Sequence, residues 1–182
     1  TMSNDARKIS WSSSLIPRFL RNESIDDTIE IRLVMYRPFC KKYVAYNKPI
    51  IHRLSCWDKI YPENNTDNLV MCVSGAPIKK GFSVLMTHCI QDLHMMENSQ
   101  SFPLYMFDRI DEGKQLSLFD ITDINGQYKT NYKRRYAISD NTLKRFKERY
   151  GSRVDKESMF YYIYAVLQSK GYVETYKDNL SK

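Results

Sequence analysis

The sequence predicts an α+β fold, a mixed β-sheet followed by a C-terminal cluster of packed helices, on three observations. Residues 29–46 alternate apolar and polar side chains, the period of a strand. Short apolar runs at 68–73, 82–87 and 104–107 are bounded by glycine, proline and polar residues, as buried strands are. From about residue 136 onward the apolar positions fall three and four apart, the period of a helix. With 182 residues and 42% hydrophobic content the chain can bury one ordinary core. A single unit spanning 1–182 is expected, mainly β with loops over 1–135 and a helical tail over 136–182.

Each element has its own signal. Trp11, Leu15, Ile16, Phe19 and Leu20 sit at near-helical spacing around Pro17, which suggests a short kinked helix or a lead-in loop over 8–22. Next, Ile29, Ile31 and Leu33 lie on one side of an extended segment and Glu30 and Arg32 on the other, a half-buried strand that Pro38 ends. Lys42-Tyr43-Val44-Ala45-Tyr46 reads as a second strand able to pair with it, and Asn47-Lys48-Pro49 as the turn after. The runs at 68–73 and 82–87 read as central strands joined by a basic, flexible loop that holds Lys79 and Lys80. Leu104-Tyr105-Met106-Phe107 is another strand, and 108–135 is polar with little periodicity. Ser139 or Asp140 can cap a helix carrying Leu143, Phe146 and Tyr150, which Gly151 stops. Asp155 opens a second helix with Met159, Phe160, Ile163, Tyr164 and Leu167 on its apolar side, broken at Gly171. A short third helix over 173–180 follows.

Net charge of +7 favours a polyanionic partner, and fourteen tyrosines supply rings for a core or for stacking. No apolar run approaches the roughly 20 residues a membrane span needs, and the first ten residues lack a signal peptide's apolar stretch, so the chain is expected to be cytoplasmic. Cys40, Cys56, Cys72 and Cys89 lie in apolar or aromatic segments without paired spacing, the pattern of reduced core cysteines.

Several chemistries have no seat in the sequence. There is no glycine-rich loop ending in Gly-Lys-Ser or Gly-Lys-Thr for a nucleotide triphosphate, and no Gly-x-Gly turn for a dinucleotide or methyl donor. No Gly-x-Ser-x-Gly elbow is present. His88, Cys89 and His94 cluster but lack the spaced ligand pairs of a zinc site, so no metal is expected, and His94 is expected to hydrogen-bond within the fold. Asp108, Glu112 and Lys114 imitate the acidic-x-Lys set of metal-dependent nucleases, but a solvated turn accounts for them better. The basic clusters carry more weight. Lys129, Lys133, Arg134 and Arg135, interleaved with Tyr128, Tyr132 and Tyr136, can place cations and phenol hydroxyls on phosphates, and Lys79-Lys80 and Lys41-Lys42 can extend that surface.

The blocks Trp11-Ser12, Tyr36-Arg37-Pro38-Phe39, Val73-Ser74-Gly75, 82–87, Asp92-Leu93-His94, Gln100-x-Phe102-Pro103-Leu104-Tyr105 and Phe160-Tyr161-Tyr162-x-Tyr164, in that order, span nearly the whole chain. In this the chain resembles the C-terminal specificity domain of bacterial type ISP restriction-modification enzymes, whose relatives are often labelled predicted helicases. The resemblance implies a long parent polypeptide with a nuclease, a helicase-like ATPase motor, a coupling region and an adenine methyltransferase, served by S-adenosylmethionine, ATP and magnesium. It implies that this chain is a non-catalytic target-recognition piece without a cofactor of its own. Its partners would be double-stranded DNA and the adjacent methyltransferase and motor domains, with no membrane. The chain departs from the family in lacking the Leu-Pro-Arg-Ile-Pro-like element that often follows the last helix.

Because such blocks recur among enzymes that read different sites, they are expected to serve the scaffold or common phosphate contacts, with base readers between them. Arg53, Lys79, Lys80, Lys129, Lys133, Arg134 and Arg135 are then the candidate DNA-binding residues. The competing expectation is a protein-interaction module docking on the methyltransferase or motor. A monomer is expected, since the resemblance implies an asymmetric DNA site, which does not call for two-fold symmetry.

Overall fold

The computed structural model describes residues 15–21, 29–47, 51, 55–75, 81–110 and 131–180. The described residues give an α+β architecture, with the expected single mixed sheet replaced by three smaller ones. Strands β1 (Glu30–Arg37) and β2 (Cys40–Tyr46) form an antiparallel hairpin, and β5 (Ile90–Gln91) adds to β1 in parallel. Strand β3 (Val70–Val73) lies between β4 (Val84–Thr87) and β6 (Gln100–Pro103), antiparallel to both. Strands β7 (Tyr105–Arg109) and β8 (Tyr132–Tyr136) form a two-stranded ribbon.

β3 explains why its stretch reads as a continuous apolar run. Val70 and Cys72 face a core with Tyr46, Ile60, Tyr61, Ile90, Met95 and Met96, whereas Met71 faces the opposite way, onto Val84, Leu104 and Phe160. A strand covered on both faces has no polar side to show. The short helix α2 (Trp57–Ile60) closes the first core. Asn68 fastens the approach to β3: its Nδ2 donates to the carbonyls of Ile60 and Tyr105 at 3.0 and 2.9 Å, and its Oδ1 accepts from the amides of Leu69 and Tyr105. This buried side chain thus holds β3 to β7. Gln91 reaches Ser101 and links the first sheet to the second.

β1 reverses the expected burial. Its alternation is as read, but the inward side is that of Arg32, only 5% exposed, while Ile31 is 57% exposed and Ile29 and Leu33 also face solvent. The reason lies about thirty residues downstream. Arg32 Nη1 donates to the Tyr61 carbonyl at 2.6 Å and Nη2 to the Pro62 carbonyl at 3.0 Å. Its Nε bonds Glu30 at 2.8 Å, and its guanidinium lies 3.9 Å over the Tyr46 ring. Carbonyls at the end of α2 need donors, and a fully bonded guanidinium is tolerated where an unpaired one is not.

The helices follow local signals more closely. Helix α1 (Leu15–Leu20) places Pro17 in its first turn, where a missing N–H costs nothing, so the expected kink has no cause. Helix α3 (Asp140–Tyr150) is capped by Ser139, whose Oγ accepts from the Thr142 amide at 3.2 Å, and Gly151 ends it at φ +99°. Helix α4 (Lys156–Gln168) is capped by Asp155, which accepts from the Ser158 amide at 2.7 Å. It lays Phe160, Ile163, Tyr164 and Leu167 on the second core. Gly171 is not the breaker: α4 stops at Gln168, whose Nε2 donates to the Val84 carbonyl, and Gly171 lies inside α5 (Lys170–Thr175). The expected third helix divides at Tyr176 into α5 and α6 (Lys177–Leu180).

Candidate nucleic-acid interface

The basic cluster that the sequence places in a polar stretch is a strand. In β8, Tyr132-Lys133-Arg134-Arg135-Tyr136 pairs with β7, Tyr136 opposite Tyr105, Arg135 opposite Met106 and Lys133 opposite Asp108. Five residues with two adjacent arginines gave no apolar alternation to detect. The pairing that makes them a strand comes from β7, more than twenty residues away in sequence. Among the described residues β8 bonds no strand on its other side, so it is an edge.

Being extended, β8 sends its charges to two faces. Arg135 and Lys133 share one face, and there Arg135 Nε bonds Asp108 Oδ2 at 2.6 Å with both side chains about half exposed. That contact fixes the guanidinium's direction, and a surface pair of this kind adds little stability. On the other face Arg134 lies 4.6 Å over the Tyr105 ring, and the Tyr105 and Tyr136 rings are 4.9 Å apart. Burial, helped by the hydrogen bond with Tyr136, pushes the Tyr105 hydroxyl up to about 12, so it stays protonated at physiological pH. Lys156 at the start of α4 sits 5.5 Å over Tyr136 and bonds Asp140 Oδ1 at 2.5 Å. The result is a line of cations steadied by rings and two carboxylates, Asp108 and Asp140.

Of the sequence-derived candidates, Lys133, Arg134 and Arg135 are brought together on this edge and all are exposed. Arg53, Lys79, Lys80 and Lys129 lie outside the described residues, as do Glu112 and Lys114 of the nuclease-like triplet and Trp11 and Ser12. Asp108, the described member of that triplet, is the partner of Arg135. Among the described residues no three His, Cys, Asp or Glu side chains converge as a metal site would require. His94 is exposed, and its backbone amide donates to Asp92 Oδ1 at 2.9 Å. Only Cys72 of the four cysteines is buried; Cys40 and Cys56 are exposed, against the expectation of core cysteines, because their strand and turn face outward there.

Dispersed blocks of the sequence meet at a second place. Arg37 and Pro38, Ser74, residues 82–85, His94 and Gln168 line a cleft of about 770 Å³. Arg37 Nη1 bonds Asp92 Oδ1 at 2.9 Å, and the Asp92 amide donates to the Met35 carbonyl, so the turn after β5 is locked to the end of β1. Gly75 completes the seam: its amide donates to the Glu97 carbonyl at 3.0 Å, and a Cβ there would run into the Asn98 carbonyl oxygen. These blocks therefore hold one another, which is a scaffold role.

The fold and the surface together define an α+β module that presents a basic, tyrosine-laced edge strand. The chain belongs to the Type ISP C-terminal specificity domain family, whose model matches residues 1–182. Solved structures similar to this chain include three complexes with DNA or a DNA substrate mimic. The ATP-dependent Type ISP restriction-modification enzyme LlaBIII bound to DNA aligns over 98% of this chain and 11% of its own, at 30% identity and TM-score 0.79. The DrdV-DNA complex aligns over 94% of this chain and 16% of its own, at 26% identity and TM-score 0.72. A nuclease-deletion mutant of the Type ISP restriction-modification enzyme LlaGI, in complex with a DNA substrate mimic, aligns over 99% of this chain and 12% of its own, at 28% identity and TM-score 0.70. The chain thus spans between 11% and 16% of the length of those chains. No curated protein matches it. No helix among the described residues is long and apolar enough to cross a membrane.

Proposed function

We propose that this chain recognises double-stranded DNA as the target-recognition part of a longer Type ISP restriction-modification polypeptide. The observation that carries the proposal is the basic edge strand β8, on a fold shared with three solved structures that are each described in complex with DNA or a DNA mimic. An exposed edge strand can follow a backbone or lie in a groove, and alternation gives it one face for phosphates and one for base edges. Arg53, Lys79, Lys80 and Lys129 remain candidate DNA contacts in this reading. Chemistry belongs elsewhere in the polypeptide in this reading: S-adenosylmethionine, ATP and magnesium would be held by methyltransferase and motor domains. The working compartment is the cytoplasm.

A second reading has an observation of its own. The outward face of the β1–β2 hairpin carries Ile29, Ile31, Leu33 and Tyr43, an apolar surface of the kind that marks a contact site. Since similar structures carry this fold within chains six to nine times as long, the occupant we assign is a neighbouring domain of the same polypeptide. Replacing Ile31 and Leu33 by serine should then leave DNA binding of this chain unchanged.

The test is fluorescence anisotropy of the chain on a random-sequence duplex pool, titrated from low to physiological salt. Binding that weakens steeply with salt supports a phosphate-tracking surface. Absence of binding at low salt overturns the recognition role for this chain and leaves docking as its function.

A further inference from the structure

We propose that Phe39, at the tip of the β1–β2 hairpin, is a wedge that enters a base step of duplex DNA while Lys41 and Lys42 hold the flanking phosphates. The inference rests on the DNA-recognition reading above and adds a contact point to it.

Phe39 is unusual on two independent counts. It is 89% exposed, more than any other large apolar residue among those described. It also adopts φ +62°, the left-handed region that disfavours a bulky L residue and that glycine or asparagine fills at most hairpin turns. The chain keeps a phenyl ring where folding alone would prefer no ring, and strain of this sort persists where a site needs it.

The ring stands on a stiff mount. Pro38 fixes one backbone angle of the two-residue turn, and Arg37 pairs with Cys40 to close it. Arg37 Nη1 donates to the Tyr36 carbonyl at 2.6 Å and to Asp92 Oδ1 at 2.9 Å. The Tyr36 ring in turn carries the Arg37 guanidinium at 4.0 Å and the Lys42 ammonium at 4.1 Å. A tip braced this way presents its side chain without the ordering cost that a loose loop would meet on binding.

Charge selects the partner. Lys41 and Lys42 follow the tip after Cys40, both exposed, and Asp92, which meets the turn through Arg37, is already bonded to that guanidinium. An apolar point flanked by cations is complementary to a stacked, anionic duplex, where apolar side chains unstack a base step and basic neighbours bind the backbone. The adjoining face of Ile31, Leu33 and Tyr43 meets Lys41 only at its tip end and is apolar beyond it, which suits an apolar protein surface instead.

The experiment uses a duplex recovered from the random pool by selection with the wild-type chain, and copies carrying 2-aminopurine at successive positions. Wild type should brighten the analogue at one step, as unstacking does. Phe39→Ala should lose that signal and roughly 5- to 150-fold in affinity, with its salt dependence unchanged because the ring touches no phosphate. Phe39→Trp should retain both, and Lys41→Ala with Lys42→Ala should lower the salt slope by nearly two. If Phe39→Ala binds within about twofold of wild type and still brightens the analogue, the wedge is wrong and the ring belongs to a protein contact. If wild type itself selects no duplex, the recognition reading falls first, a result separable from any effect of residue 39. Circular dichroism of each variant checks that the fold is retained, which the exposure of Phe39 leads us to expect.

Discussion

Replacing Arg32 by alanine should destabilise the chain by about 3–5 kcal/mol, the cost of removing one partner from a buried charged network. The structure accounts for the size. The buried Tyr61 carbonyl loses its Arg32 donor, at about 1–3 kcal/mol for a buried acceptor left unpaired, and the part-buried Pro62 carbonyl loses its own at a smaller cost. The Tyr46 ring loses a cation 3.9 Å away, worth about 0.5–2 kcal/mol. Glu30 is about half exposed and can turn to water, so it adds little. For a chain of this length each kcal/mol moves Tm by about 2–4 °C, so a fall of about 6–20 °C is expected. Urea denaturation followed by far-UV circular dichroism measures it, with Arg32→Lys as the companion. Lysine keeps the charge but cannot serve both carbonyls and Glu30 in a fixed fork, so it should fall between wild type and alanine. A loss below about 1 kcal/mol for alanine, with an unchanged fold, would refute the claim that Arg32 decides which face of β1 is inside.

Substituting Lys133, Arg134 and Arg135 together by alanine should reduce the slope of log affinity against log salt by up to about 2.7, about 0.9 for each phosphate contact. Anisotropy at several salt concentrations reads this directly, and an unchanged slope would place DNA elsewhere. Gly75→Ala should cost about 1–3 kcal/mol in thermal or urea unfolding, because the added methyl meets backbone rather than a movable side chain. Asp155 has its carboxylate held below the usual range by the Ser158 amide and hydroxyl. Its unfolded form therefore binds a proton more readily than its folded form. The cap's contribution is complete above the ordinary aspartate value of about 3.9 and is lost as pH falls through the lower folded-state value. Asp155→Asn should make stability less pH-dependent in that acidic window, read from unfolding midpoints between about pH 2 and 5.

Much of the candidate site could be named from sequence but not shaped from it. Lys133, Arg134 and Arg135 were identifiable as a basic, tyrosine-interleaved run, yet nothing local says that they form a strand or that Asp108 aims one of them. Gln100–Pro103 was missed as β6 for the same reason: a strand paired on a single edge, with a proline at its end, has little apolar pattern of its own. The meeting of Arg37, Ser74, Phe82, His94 and Gln168 around one cleft is likewise invisible to spacing.

What the sequence determined by itself is what short-range chemistry controls. Ser139 and Asp155 begin helices because their side chains satisfy free amides three residues on, Gly151 ends one because it alone tolerates the required φ without strain, and 29–46 forms a hairpin because it alternates around Pro38-Phe39. What the tertiary structure decided is which side of each alternation turns inward. A period of two marks two faces but does not name the buried one, and the answer came from carbonyls of Tyr61 and Pro62 that needed the donors of Arg32. Gly171 likewise sits within a helix because the bond from Gln168 to Val84 and the packing of α4 set where that helix ends, overriding a local preference of only about 1 kcal/mol.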